Sequence, residues 1–284
     1  WGIYVQDMAH LSPHWKLVGG IRYDHLVGDY DTLSITSGAS TASYRMKVGQ
    51  FSERVGLLWQ PDERRSYHVS LANSFNTSGD AYSLSAANVN TPPEQSINFE
   101  IGARLDSEDK RFTTRIAAFR SAKLHERNTD PLVNLTTLSG KRHVAGLEID
   151  LTGRLTPKWE IFGSWMWLPV ANIDTPVTGG ETGRPSLTPR HSGTIWNTVQ
   201  VAPRWRVGAG LNFRGNQTPN RNPGWTVPGY TTVDLMAEFQ VDSRLTFKAN
   251  LNNVANRLYA DQLYSGHYVA GAGRVLLLSA KLSF

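Results

Sequence analysis

The stretch Trp205-Arg206-Val207-Gly208-Ala209-Gly210-Leu211-Asn212-Phe213-Arg214 decides the fold. In an extended chain, Trp205, Val207, Ala209, Leu211 and Phe213 share one face, and Arg206, Gly208, Gly210, Asn212 and Arg214 share the other. The same split recurs at 244–252, where Leu245, Phe247, Ala249 and Leu251 oppose Thr246, Lys248, Asn250 and Asn252. It recurs at 143–152, with Ala145, Leu147, Ile149 and Leu151 against Gly146, Glu148, Asp150 and Thr152. At 97–105, Ile97, Phe99, Ile101, Ala103 and Leu105 oppose Asn98, Glu100, Gly102 and Arg104. No window carries a convincing helical stripe.

Extending this period-two reading along the chain predicts thirteen strands, near 2–11, 15–26, 51–60, 66–76, 95–105, 111–127, 142–155, 159–170, 190–201, 205–214, 229–241, 244–255 and 274–284. Short turns fall at Ser12–His14, Pro61–Arg65, Asp106–Lys110, Thr156–Lys158, Ala202–Arg204 and Asp242–Ser243. They alternate with long connectors near 27–50, 77–94, 128–141, 171–189, 215–228 and 256–273, each rich in Gly, Ser, Thr, Asn or Pro. An antiparallel up-and-down meander with tight turns at one rim and long loops at the other is what a transmembrane β-barrel needs. A strand crossing lipid must pair every backbone group, and only a closed sheet achieves this.

Composition agrees. Of 284 residues, 19% are charged, fewer than the roughly 25% usual in soluble chains, while 10% are aromatic. No run of about 18 apolar residues occurs, which excludes a transmembrane helix. The absence of cysteine removes disulfides, thiolate metal sites and cysteine nucleophiles together. A formal charge of +5 raises the question of nucleic acid, but the basic residues are scattered singly or in pairs, such as Arg64-Arg65 and Lys141-Arg142. Nucleic-acid binding is not expected. The chain opens in strand-like Trp1-Gly2-Ile3-Tyr4, so any export signal is expected upstream.

Trp15, Trp59, Trp159 and Trp205 each sit within two residues of a short turn, on the apolar face. Indoles at one height mark a membrane–water interface. The final Lys281-Leu282-Ser283-Phe284 ends on an aromatic of the apolar face, and Phe284 is expected to be the signal read by the barrel-assembly machinery.

Several segments together resemble the TonB-dependent siderophore receptors of Gram-negative outer membranes. Tyr4-Val5-Gln6-Asp7 is followed by Trp15-Lys16-Leu17-Val18-Gly19-Gly20-Ile21-Arg22-Tyr23-Asp24. Pro93-Glu94-Gln95-Ser96 precedes Phe99-Glu100-Ile101-Gly102. Phe119-Arg120 leads to Arg127-Asn128-Thr129-Asp130-Pro131 and then Gly146-Leu147-Glu148-Ile149. Pro189-Arg190-His191-Ser192, Pro228-Gly229-Tyr230-Thr231-Thr232-Val233-Asp234 and Asn252-Asn253-Val254 complete the run. The hairpin at 119–131 is similar to the catecholate branch.

The resemblance implies a receptor with a TonB box, a plug domain and a barrel of about twenty-two strands. Thirteen strands and no plug counterpart predict that residues 1–284 are the C-terminal portion of such a barrel. Parity agrees, since strand thirteen ends at the inner rim and strand one must then begin outside. The family's partners would be lipid and lipopolysaccharide on the outer wall, a ferric siderophore, and TonB through the missing N-terminal plug region. Iron would be carried as substrate, with no resident cofactor.

Iron–catecholate complexes are bulky, aromatic and anionic, so their site calls for cationic donors beside flat rings. Rim positions that offer these are Arg127, Arg142, Arg190, Arg214 and Arg274, with Trp225, Tyr264 and Tyr268. The same arginines could instead pair with lipopolysaccharide phosphates or with lumen carboxylates such as Glu100 and Glu148. No metal-ligand spacing occurs; His125, His143, His191 and His267 near the long-loop rim read as solvated loop histidines. No hydrolase or nucleotide motif is present. A passive porin-like channel and a barrel enzyme using Asp130, Asp174, His143 and Ser186 are the alternatives; an enzyme is not expected.

Overall fold

The computed structural model describes residues 1–77, 84, 89, 92–130, 135–176, 182–219, 222, 224–264 and 266–284, and it describes the side chains of 126–130 and 135–139 no further than their backbone. The described residues form β1 (Gly2–His10), β2 (Trp15–Leu33), β3 (Ser40–Trp59), β4 (Arg65–Asn76), β5 (Glu94–Asp106), β6 (Phe112–Asp130), β7 (Leu135–Thr156), β8 (Trp159–Ile173), β9 (His191–Ala202), β10 (Trp205–Arg214), β11 (Tyr230–Gln240), β12 (Leu245–Asn252), β13 (Ala260–Leu263), β14 (Tyr268–Ala270) and β15 (Val275–Leu282).

Thirteen of these make one antiparallel sheet in the order β1 through β12 and then β15; β13 and β14 form a separate hairpin. Among the described residues β1 and β15 are the sheet's two edges, so this chain is an open arc of wall rather than a closed barrel. The expected strand number and order hold.

Two connectors expected to be irregular are not. β2 continues to Leu33 and pairs with β3 back to Ser40, so the connector placed at 27–50 is mostly paired hairpin. β6 and β7 likewise pair as far as Asp130↔Leu135 inside the connector placed at 128–141. Above the membrane the apolar phase reverses: Tyr30, Tyr44, Met46 and Val48 pack with Leu84 and Phe75 on the inward face while Asp29, Asp31, Arg45 and Lys47 take the outward one, so the lipid-facing pattern stops at the belt although pairing continues. The connector at 256–273 also contains the short β13–β14 hairpin.

Registers place the aromatic residues in two belts. At the inner rim, Trp15 lies opposite Trp59, their rings stacked at 5.9 Å, and Tyr67 continues the row at 5.1 Å. Trp205 packs on Phe239 at 4.7 Å, and Trp159 donates its indole N–H to Asn197 at 3.0 Å. These tryptophans are 39–46% exposed, and Phe284 is fully exposed. A second belt follows eight residues further along the same outward faces: Tyr23 after Trp15, Phe51 before Trp59, Trp167 after Trp159 and Phe213 after Trp205. Tyr23 meets Phe51 at 4.8 Å, and His191 stacks on Trp165 and Trp167. Eight residues span about 26 Å of strand, or about 20 Å of height at a tilt of about 40°. That matches the apolar band of an outer-membrane barrel wall.

Three of the inner-rim turns are closed by aspartates. Asp62 Oδ1 accepts the backbone N–H groups of Arg64 and Arg65 at 2.8 and 2.9 Å, and Asp242 Oδ1 accepts those of Arg244 and Leu245 at 2.7 and 2.9 Å. The Ser107 hydroxyl and then the Arg111 amide hold the Asp109 carboxyl down to about 2. All three ionise below the ordinary value of 3.8, so the turns are fully held above about pH 4 and loosen as pH falls through the lower folded value. Pepsin cleavage at these turns should therefore be slow near pH 4 and accelerate toward pH 2, with the 106–111 turn the last to open.

Candidate functional site

The wall of β9–β12 carries, on its lumen face near the outer rim, a cluster built by register. Arg214 ends β10 directly opposite Tyr230, which begins β11. The guanidinium carbon lies 6.0 Å from the Tyr230 ring centre, within cation–π range. Tyr259 joins from the following loop with its ring 4.3 Å from that of Tyr230. One step deeper, Thr194 donates to Asn212 Oδ1 at 2.8 Å, and Asn212 Nδ2 donates to Asp234 at 2.9 Å. Arg214, Tyr230, Tyr259, Asn212 and Asp234 line a hollow of about 490 Å³.

The loop that brings Tyr259 is fixed by asparagines. Asn253, 4% exposed with φ 48°, donates through Nδ2 to the carbonyls of Arg257 and Ala272, both at 2.9 Å, and accepts the Arg257 N–H at 2.8 Å. Its own N–H reaches Asp234 at 2.7 Å. Asn256 accepts the Arg274 N–H at 2.8 Å, which ties the loop's end to its start. The Tyr259 ring lies against Gly271, where any Cβ would penetrate it. Burial pushes the Tyr259 phenol up, so it remains a neutral O–H able to donate to an anionic oxygen.

Of the rim residues singled out by pattern, Arg214 is at the centre of this cluster. Arg274 is exposed at the start of β15 and borders it through Asn256. Tyr264 stacks on His267 at 4.7 Å in the β13–β14 hairpin, and Tyr268 is 55% exposed in the same hairpin. Trp225 is 73% exposed in the 215–228 connector. Arg190 is exposed and donates to the Pro169 carbonyl at 3.4 Å. Arg142 belongs to a different place, a hollow of about 260 Å³ on β4–β7 beside Lys123 and Glu94, which are 3.0 Å apart. The Arg127 backbone pairs with Leu138, and its side chain lies outside the described residues.

Pattern alone misses Tyr230, Tyr259, Asn253 and Asn256. The signal was present in Asn253, since asparagine is among the few residues that tolerate a left-handed backbone. Of the histidines read as solvated, His125, His191 and His267 are exposed, the last two with aromatic rings stacked on them, whereas His143 is half-buried with Nδ1 2.8 Å from Asp174. That pair joins two residues considered for catalysis, but Ser186 donates to the Pro219 carbonyl instead. The side chain of Asp130, the fourth, lies outside the described residues. Glu100 takes His68 at 2.7 Å.

A family model described as TonB dependent receptor-like, beta-barrel, matches residues 1–254. The chain belongs to this family. It is 29% identical to the probable TonB-dependent receptor BfrD of Bordetella pertussis over 99% of its own length and 40% of that relative. The crystal structure of the siderophore receptor PiuA from Acinetobacter baumannii superposes with a TM-score of 0.88 at 26% identity, covering 99% of this chain and 42% of that one. The closed form of the ferric-catecholate import receptor Fiu of Escherichia coli K12 shares the fold, with a TM-score of 0.86 at 24% identity over 100% and 44% of the two chains. This TonB-dependent receptor chain thus spans about two fifths of the length of the relatives it matches, and is an arc of a Gram-negative outer-membrane barrel.

Proposed function

We propose that this TonB-dependent receptor segment serves in the uptake of ferric siderophores, energised through TonB, and that its β9–β12 wall supplies part of the recognition rim. The observation that carries this reading is the Arg214–Tyr230–Tyr259 cluster over its hollow. A guanidinium beside two phenol rings offers charge and stacking together, which suits an anionic aromatic chelate of iron(III). Arg274, Tyr264, Tyr268 and Trp225 would extend that rim, while Arg142 and Arg127 would belong to a separate part of it. Iron enters as the substrate's cargo, with no resident cofactor.

Other partners follow from position. The outward apolar face between the two aromatic belts suits lipid, and the surface above the outer belt suits lipopolysaccharide. Phe284, fully exposed at the chain end, would be read by the barrel-assembly machinery. TonB would act through an N-terminal plug outside this chain.

The test is uptake of radiolabelled iron(III)–dihydroxybenzoate by cells carrying the full-length receptor, with and without TonB. Saturable uptake lost without TonB is the expected result. Uptake that is linear in concentration and indifferent to TonB would mark a passive channel instead.

A further inference from the structure

Three inner-rim turns share a tripeptide: Pro13-His14-Trp15, Pro157-Lys158-Trp159 and Pro203-Arg204-Trp205. In each, the carbonyl of the basic residue accepts the backbone N–H of a glutamine from the neighbouring strand or its end. Gln60 donates to His14 at 2.7 Å, Gln200 to Lys158 at 2.9 Å and Gln240 to Arg204 at 2.9 Å. Proline fixes the backbone just before the basic residue, and the glutamine holds it from the side. The basic side chain is thereby left exposed, one position nearer the periplasm than an outward indole of the inner belt.

The other turns of this rim neutralise their own charges. Between the β3–β4 and β5–β6 turns, Lys110 meets Glu63 at 2.5 Å and Arg64 meets Glu108 at 3.6 Å; within them, Arg65 meets Asp62 at 2.6 Å and Arg111 meets Asp109 at 2.7 Å. Among the described residues Lys158 and Arg204 form no ion pair, and the Trp205 indole N–H has no acceptor. Asp242 is within electrostatic reach of Arg204, but its Oδ1 is committed to the amides of Arg244 and Leu245. The three copies are graded. Trp159 has its N–H on Asn197, and His14 Nδ1 lies 3.1 Å from the Gln60 carbonyl, so Arg204–Trp205 keeps the most free donors.

We propose that the Arg204–Trp205 and Lys158–Trp159 turns are headgroup sites that hold anionic phospholipids of the inner leaflet, with His14–Trp15 as a weaker third copy. Lipid headgroups lie at the height of an indole belt, so a cation one residue closer to the periplasm stands beside their phosphates. The Arg204 guanidinium presents several N–H groups to phosphate oxygens, and the Trp205 N–H adds a donor from the lipid side. A zwitterionic headgroup brings its own ammonium, which offsets that attraction, so the turns select lipids with net negative charge. Each cation contributes about fivefold in retention. The inference rests on the membrane placement of the inner belt and holds whatever the receptor imports.

The experiment is native mass spectrometry of the full-length receptor, released from mixed micelles that hold equal amounts of phosphatidylglycerol and phosphatidylcholine, and it counts the lipids retained. The parent should retain phosphatidylglycerol in preference. Arg204→Gln combined with Lys158→Gln should lower that retention by about ten- to twentyfold and leave phosphatidylcholine unchanged. Arg204→Lys, which keeps the charge, should restore most of it. Arg64→Gln combined with Lys110→Gln removes the same number of cations from turns where they are already paired, and should stay within about twofold of the parent. Heat-modifiable mobility establishes that each barrel is folded, and Arg204→Gln alone, with about a fivefold loss, carries the test if the double variant does not fold. No preference in the parent, or an unchanged preference in the folded variants, would overturn the proposal. An equal loss in the Arg64 and Lys110 variant would overturn it too, by making the attraction a matter of total charge. Displacement of the retained lipid by glycerol phosphate would overturn it in favour of a soluble phosphate ester.

Discussion

Reversing the charge at Arg214 is expected to weaken binding of an anionic ferric chelate by roughly 30- to 150-fold. Two unit charges about 5 Å apart interact by about 3 kcal/mol at the effective dielectric of a protein surface, and replacing a cation with an anion exchanges attraction for repulsion. The site is only half-buried and salt screens it, so about 2–3 kcal/mol of that change should survive. Arg214→Lys keeps the charge but loses the planar group set over Tyr230, and a loss of about tenfold or less is expected. Arg190→Glu is the control, because the Arg190 side chain is exposed, turned to the Pro169 carbonyl and not part of the hollow's lining; about twofold is expected. Equilibrium binding of iron(III)–dihydroxybenzoate to the full-length receptor at physiological salt reads all three. Equal effects at Arg190 and Arg214 would remove the cluster from the recognition site.

Leu71→Arg should be the most damaging single change to the wall. Leu71 lies midway between the belts, on the row Gly19–Val55–Leu71–Phe99 that crosses four strands, and is 48% exposed on the outward face. An arginine at the middle of the lipid face of an outer-membrane barrel costs about 2–4 kcal/mol, a fall of roughly thirtyfold to several hundredfold in the folded-to-unfolded ratio. Ser70→Arg, one residue earlier, turns to the lumen, where the cost should be within about 0.5 kcal/mol. Urea titration of the full-length protein in lipid vesicles measures both. Equal destabilisation would mean that the two faces are not lipid and water. An inverted result would reverse their assignment.

How much of this was legible in the pattern varied with the environment of each strand. Where one face meets lipid and the other water, as at 205–214, alternation located the strand within a residue or two. At 27–33 and 40–50 pairing continued with the apolar phase reversed, Tyr30, Tyr44, Met46 and Val48 now packing inward under Leu84, so a reading tuned to an outward apolar face stopped short of them. The inner Trp belt could be read because each indole adjoins a turn. The outer belt needed the register of neighbouring strands, since Tyr23 and Phe51 come together only when β2 and β3 pair. The rim site was half legible: arginines near loop ends were named, but nothing in the order of residues separates Arg214 from Arg190.

Local chemistry along the chain determined the wall itself. Period two chose extended strands, apolar phase chose the lipid face, and aspartate and serine turns set where each strand reversed. These are short-range or solvent-directed choices, made by each segment independently. The assembled sheet decided which side chains meet. Tyr259 reaches Tyr230 because Asn253 and Asn256 fold a connector back over the lumen, and Trp196 lies flat because the strand beside it offers Gly210. Such contacts join residues 14 to 29 positions apart, and their geometry comes from register and loop closure rather than from any one segment's preference.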